Sequence, residues 1–281
     1  MNIYAFADEY SPNIDEQIKA LKENVLQGLE IRNVDGINVA DVTKEKAKEV
    51  KEKLEKNGLK VFSIGSPVGK IDIEKDDFNL HLQKFEHVLE IAKILEAKYI
   101  RVFSFYIPKD KNPDEYTNEV VKRMTLLCEM ATKKGITLCH ENEKGIFGDN
   151  AKRCKVLFDS VLNLKGVFDM ANFVQCNEDT LSAWELLKNN IRYLHIKDAL
   201  ADGNIVPAGK GIGNVKKIIE AYKSLGGEDI TLEPHLMEFD GLKGLEQAEE
   251  KSLVGEITKF SSTKEAFLCG VKSLKELLSK G

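Results

Sequence analysis

The sequence predicts a closed (β/α)₈ barrel, one domain spanning residues 1–281, and three observations lead there. A short β-branched or aromatic run, a polar turn and an amphipathic segment of about 10 to 20 residues recur eight times. Eight such units in 281 residues match the usual length of a closed barrel. An open doubly wound sheet would be expected to carry a glycine-rich phosphate loop after an early strand, and here the first strand runs into "ADEYSPN". The glycines of "GKGIG", residues 209–213, follow the seventh strand and read as loop flexibility.

The expected strands, in order, are "NIYAFA" (2–7), "GLEIRNV" (28–34), "KVFSIGS" (60–66), "KYIRVFSF" (98–105), "ITLCHENE" (136–143), "KGVFDMANF" (165–173), "IRYLHIKD" (191–198) and "DITLEPHL" (229–236). Helices are expected between and after them at 14–25, 43–57, 77–97, 113–134, 150–161, 179–190, 214–225 and 263–280. "TKEK" at Thr43 is a helix start, and Gly58, Gly135 and Gly226 are stops placed just past helix ends. "FEHVLEIAKILEA" keeps apolar residues at three-and-four spacing, as a helix covering a sheet should. Trp184, within "LSAWELLKNN", reads as helix packing, as do His81 and His87.

Composition narrows the function. The 41 Lys and Arg against 46 Asp and Glu give a formal charge of −5, with no concentrated basic surface of the kind that grips phosphate backbones. The expected partner is therefore a small molecule rather than nucleic acid. Five cysteines without a CxxC pair read as reduced, packed thiols. No apolar run reaches about 18 residues and no signal-peptide pattern opens the chain, so the expectation is a soluble, cytoplasmic protein without membrane association.

Function in such a barrel sits at the C-terminal strand ends, where side chains alternate between the interior and the helix layer. Ile136 and Leu138 suit the helix layer, which turns Thr137, Cys139, Glu141 and Glu143 inward and leaves His140 packed outside. The same parity directs Asp169 inward on the sixth strand, Tyr193, His195 and Lys197 on the seventh, and Thr231, Glu233 and His235 on the eighth. Four consecutive strands thus send Glu141, Asp169, His195 and Glu233 to one rim. Three carboxylates and an imidazole in one pocket repel one another unless a cation joins them, so one divalent metal ion is expected, with Mn²⁺, Mg²⁺, Co²⁺ or Zn²⁺ all suited to mixed oxygen and nitrogen donors. Glu143, closer to solvent, is the substitute for Glu141. Glu30, Arg32 and Arg101 have inward parity on earlier strands, where charged groups orient ligands, touch substrate or form internal Arg–Glu pairs. Asp198, of opposite parity, is expected to hold a loop, and Lys70 in "GSPVGK" lies on a turn from which it can approach an anionic group.

"HEN" ending the fifth strand, "FDMAN" the sixth, "HIKD" the seventh and "LEPH" the eighth resemble the xylose isomerase-like TIM-barrel superfamily of sugar isomerases and epimerases. The resemblance covers essentially the whole chain, and the ordered Glu, Asp, His, Glu set is its specific part. It implies that Glu141, Asp169, His195 and Glu233 are metal ligands and that Glu141 and Glu233 are also the catalytic acid/base pair. The expected activity is divalent-metal-dependent isomerisation or epimerisation of a sugar, polyol or related hydroxy-carbonyl compound, through a metal-stabilised enediolate. Lys197, Asn172, His235, Arg101 and Glu30 are the expected substrate-binding residues. Subunit association is common in the superfamily, which makes a homo-oligomer an expectation.

Two departures qualify the likeness. Epimerases of the group usually carry a histidine three residues after the sixth-strand aspartate, where this chain has Asn172. They also often place an arginine soon after the metal histidine, where "HIKDAL" supplies Lys197. The HxKD form also resembles inosose dehydratase, a lyase that would expel a β-hydroxyl from the same enolate. The apurinic endonucleases need a three-metal cluster with several more histidines than the strand ends supply, and a non-catalytic metabolite-binding barrel is the remaining alternative. Substrate choice is expected to lie in the loops 66–77, 106–113 and 237–262.

Overall fold

The computed structural model describes residues 1–239, 241, 254, 255 and 257–279, so most of the 237–262 loop lies outside the described residues. Eight parallel strands close into a barrel: β1 (Asn2–Ala5), β2 (Gly28–Ile31), β3 (Lys60–Gly65), β4 (Tyr99–Val102), β5 (Thr137–Glu141), β6 (Lys165–Asp169), β7 (Ile191–Ile196) and β8 (Asp229–Leu232). Each strand pairs with its sequence neighbours, and β8 closes on β1 through Asn2↔Asp229 to Ala5↔Leu232.

Helices α1 (Ile14–Glu23), α2 (Lys44–Lys56), α3 (Phe78–Ile94), α4 (Thr117–Lys133) and α5 (Ala151–Ser160) form the outer layer after β1 to β5. They are joined by α6 (Met170–Gln175), α7 (Thr180–Leu187), α8 (Val215–Ser224) and α9 (Thr263–Ser279). Short polar side chains start several of them: the Asn13, Thr43, Asp77, Asn150 and Asp179 side chains accept hydrogen bonds from first-turn amides. Gly58, Gly135 and Gly226 follow helix ends at φ of 69°, 74° and 84°, a conformation that costs glycine nothing.

Among the described residues two apolar regions define the barrel, apart from a smaller cluster around Ala171, Val174 and Leu236. The barrel interior near the strand starts is filled by Tyr4, Phe62, Cys139, Val167 and Tyr193, with the Tyr4 and Phe62 rings stacked at 4.3 Å. The larger region lies between strands and helices, where Phe168 packs edge-on to Trp184 at 5.5 Å. Toward the strand C-termini the interior turns polar, with Glu30, Arg101, Glu141, Asp169, His195 and Glu233 all buried. The apolar layer is thus a floor on which the charged groups stand.

Two expectations are corrected. "KGVFDMANF" is not one strand: β6 stops at Asp169, whose Oδ1 accepts from the Asn172 amide at 2.8 Å and caps α6. An apolar run suits a buried helix turn as well as a strand, and the cap decides between them. Residues 113–116 form a 3₁₀ turn before α4 rather than its first turn. Among the described residues no helix is long and apolar enough to cross a membrane.

Candidate metal and catalytic site

The donor atoms of Glu141, Asp169, His195 and Glu233 lie within 4.8 Å of one another, and all four residues are buried. They come from the ends of β5, β6 and β7 and from the residue following β8, so the barrel register alone converges them. His195 is the centre. Its Nδ1 is 3.0 Å from Glu141 Oε1 and 3.2 Å from Glu233 Oε2, and its Nε2 is 3.0 Å from Glu30 Oε2. Burial alone would push this imidazole down, but Glu141, Glu30 and Glu233 together hold it well above the usual histidine range.

The two glutamates are held alike. Arg101 Nη1 donates to Glu141 Oε2 at 2.9 Å, leaving Oε1 toward His195 and toward Asn172 Nδ2, which donates to it at 3.3 Å. Arg32 Nη1 donates to Glu233 Oε1 at 3.0 Å, leaving Oε2 toward His195 and Lys197. Each carboxylate therefore has one oxygen clamped by a buried guanidinium and the other turned into the site. Burial raises Glu141, yet His195 and Arg101 outweigh it and bring it down to about 2. Glu233 is likewise well below the carboxylate range, because Lys197 and His195 overcome its burial.

Asp169 differs. Burial pushes it up to about 7 against the pull of Lys197, whose Nζ is 3.0 Å from Oδ2 and 3.5 Å from Glu233 Oε2. The buried Asp169 Oδ2 thus faces the Lys197 ammonium, which is out of line for a hydrogen bond, and accepts none. A buried carboxylate oxygen held by no aligned hydrogen bond, beside two more carboxylates and an imidazole, is the donor set a divalent ion takes. The residues fit such an ion.

A second trio, Glu9, Glu233 and His235, is also close enough to bind metal, but Arg32 already supplies its cation. The guanidinium makes a two-point contact with Asp8 at 2.9 and 3.0 Å, reaches Glu9 at 3.2 Å, and lies 3.4 Å from His235 Nε2. It stacks over the rings of Phe6 and Phe239 at 4.3 and 4.7 Å. Burial pushes Glu9 up to about 8 despite Arg32, and lowers His235 well below the usual range.

The other expected site residues fall in distinct places. Lys197 Nζ lies 3.5 Å from Glu233 Oε2 and the Asn172 side-chain amide 3.3 Å from Glu141 Oε1, whereas His235 Nε2 lies 3.5 Å from Glu233 Oε1, the oxygen that Arg32 holds. His235 has φ of 45°, an uncommon conformation for a histidine, and its backbone amide donates to Glu9 at 2.8 Å. Arg101 reaches Glu141 rather than open space, and Glu30 is enclosed beneath His195. Glu143 pairs with Lys70 at 3.2 Å, apart from the four-residue cluster. His140 is packed outside the barrel with Nε2 2.9 Å from Ser104 Oγ, and His81 accepts from the Gly69 amide.

Asp198 does hold a loop: its carboxylate accepts from the amides of Gly209, Gly211 and Gly213 at 2.8 to 3.0 Å. This corrects the reading of "GKGIG" as flexible. A Cβ on Gly211 would sit 2.4 Å from Asp198 Oδ1, and one on Gly213 2.7 Å, so glycine is required there by close approach. Asp8 and Glu9 were not anticipated; the signal was an acidic pair just past β1, facing an arginine just past β2.

No curated protein matches the sequence. Among solved structures, the chain is similar to the IOLI protein with a binding zinc atom, at 18% identity and a TM-score of 0.76, covering 100% of this chain and 99% of that one. A D-tagatose 3-epimerase-like protein matches at 14% identity and a TM-score of 0.72, over 100% and 99% of the two chains. The 3-keto-D-glucoside 4-epimerase YcjR from E. coli matches at 16% identity and 0.69, over 99% of each. At these identities the likeness is one of fold. The family model described as xylose isomerase-like TIM barrel matches residues 18–252. With the closed eight-stranded barrel and its rim of acidic residues and histidine, the chain belongs to the xylose isomerase-like TIM-barrel family.

Proposed function

We propose that this protein is a divalent-metal-dependent isomerase or epimerase of a sugar or related hydroxy-carbonyl compound. The observation that carries the reading is the pair Glu141 and Glu233, each clamped on one oxygen by an arginine and each turning the other toward His195 Nδ1. Glu141, Asp169, His195 and Glu233 would hold the ion. Such an ion, when bound, supplies Lewis-acid polarisation of a carbonyl and its neighbouring hydroxyl.

The glutamates then divide the proton work. One glutamate, ionised, takes the proton from the carbon beside the carbonyl; the other, entering the step with a proton taken up from solvent, gives it to the opposite face, which inverts that carbon, or to the adjacent carbon, which moves the carbonyl, and exchange with solvent resets both. Arg101 and Arg32 fix the geometry by occupying the oxygens that do not take part. Lys197, Asn172 and His235 offer donors to substrate oxygens around the same space. Two structural relatives, a D-tagatose 3-epimerase-like protein and a 3-keto-D-glucoside 4-epimerase, support a sugar substrate, and the zinc of a third supports the ion.

The test is proton exchange. Protein supplied with Mn²⁺ or Zn²⁺ in D₂O is offered a panel of ketoses, aldoses and inososes, and deuterium at the carbon beside the carbonyl is read by NMR. Exchange by the parent and its abolition in Glu233→Gln is the expected result. Full activity in Glu233→Gln would remove that residue from the mechanism.

A further inference from the structure

Below the four convergent donors stands a fifth charged residue, Glu30, whose surroundings give it a different task from theirs. It projects inward from β2 and meets His195 of β7 across the barrel, with Oε2 3.0 Å from Nε2. Its other oxygen accepts from the Tyr193 hydroxyl at 2.7 Å and from Ser63 Oγ at 3.3 Å. Glu30, Ser63, Tyr193 and His195 are all fully enclosed, with 0% exposure. Glu30 therefore has no surface open to a substrate.

We infer that Glu30 is a positioning residue that fixes the tautomer of His195, keeping the proton on Nε2 and turning Nδ1 to the divalent ion. The inference rests on the metal-site reading proposed above. Its basis is the direction of the hydrogen bonds. With Tyr193 and Ser63 donating to Oε1, the carboxylate is an acceptor throughout, so the imidazole nitrogen facing Oε2 must carry hydrogen. Nδ1 also faces carboxylates, Glu141 Oε1 at 3.0 Å and Glu233 Oε2 at 3.2 Å, so both nitrogens carry hydrogen until an ion takes the place of the proton on Nδ1; the hydrogen that then stays is the one Glu30 holds on Nε2.

A ring flip would put carbons where Nδ1 and Nε2 now meet Glu141, Glu233 and Glu30. Phe6 meets it edge-on at 5.2 Å and Tyr193 lies at 5.5 Å, so the plane is set by packing while the proton's place is set by Glu30. A carboxylate behind a metal-binding histidine also raises the basicity of the nitrogen that faces the ion, and loss of such a partner typically weakens metal binding by about 10- to 100-fold. Glu30 thus acts on the ion through His195 alone, which distinguishes it from Arg32 and Arg101, whose contacts are to the glutamates.

The experiment uses full-length protein carrying ¹⁵N-labelled histidine, with the His195 signals identified by their loss in His195→Ala. In the zinc-loaded parent, Nε2 is expected to be of the protonated type and Nδ1 of the metal-bound type. Zinc affinity, read by competition with a chromophoric chelator, is expected to fall about 10- to 100-fold in Glu30→Leu and less in Glu30→Gln, whose amide oxygen still accepts from Nε2–H. Glu30→Gln keeps the side-chain volume, so it carries the affinity test if Glu30→Leu fails to fold, and the parent spectrum alone decides the nitrogen. Coordination through Nε2, or unchanged affinity in a folded variant, overturns the role of Glu30 while leaving the metal site intact. No zinc binding by the parent overturns both.

Discussion

Replacing Arg32 by methionine tests how the carboxylates behind the site are tolerated. The guanidinium has no exposed side-chain surface and contacts Asp8, Glu9 and Glu233, which are almost as enclosed. Methionine retains the apolar stem between Phe6 and Phe239 but removes the charge and every donor. Removing one partner of a buried ion pair typically costs about 3–5 kcal/mol, because the remaining charges stay desolvated. Lys46 is the matched control: it bonds Asp35 at 2.7 Å and Glu49 at 3.0 Å, with a quarter or more of each side chain in solvent, and such pairs contribute about 0–1 kcal/mol. Urea unfolding at pH 7 is therefore expected to show Arg32→Met weakened by about 3–5 kcal/mol and Lys46→Met by less than about 1 kcal/mol. Equal losses in the two variants would refute the reasoning, since they would mean that the buried carboxylates do not depend on Arg32.

Acid sensitivity is expected from two histidines outside the site. Burial lowers both His81 and His140 from 6.5 to about 4, so below pH 6.5 the unfolded chain binds protons that the folded chain refuses. Stability from each is present above pH 6.5 and falls as pH drops toward 4, by up to about 3 kcal/mol per histidine. Glu9 and Asp169, raised to about 8 and 7, act in the opposite sense and are common to parent and variant. Urea midpoints should thus fall more steeply with acid in the parent than in the His81→Gln/His140→Gln double variant, and parallel slopes would count against the assignment. Asp198→Ala should free the Gly209, Gly211 and Gly213 amides, seen as faster hydrogen exchange at those three positions and a loss of about 3 kcal/mol. Unchanged exchange would show that the loop is held by other contacts.

The legible and illegible parts of the sequence divide on physical lines. Strands buried on both faces leave apolar runs such as "GVF" and "YLHI", and helices that cover them repeat at three-and-four spacing, so the order of elements could be read directly. Parity along each strand then put Glu141, Asp169, His195 and Glu233 inward, and the structure brings these four together. Depth could not be read that way. Glu30 and Arg101 share the inward parity, but whether a residue ends beneath the imidazole or at the rim depends on the stagger of neighbouring strands, which no single strand encodes. Asp8 and Glu9 lie past the end of β1 with no periodicity to report them. The end of β6 was hidden because Asp169 serves two purposes, inward carboxylate and helix cap.

Metal content decides the central claim most directly. The purified protein and its His195→Ala variant are dialysed without chelator and assayed by elemental mass spectrometry, before and after addition of Mn²⁺ or Zn²⁺. The account predicts about one tightly held divalent ion per chain in the parent, from a single four-donor cluster, and a large loss in the variant. A parent that retains no ion even after metal is added back would contradict it and leave the glutamate pair without the Lewis acid its chemistry requires.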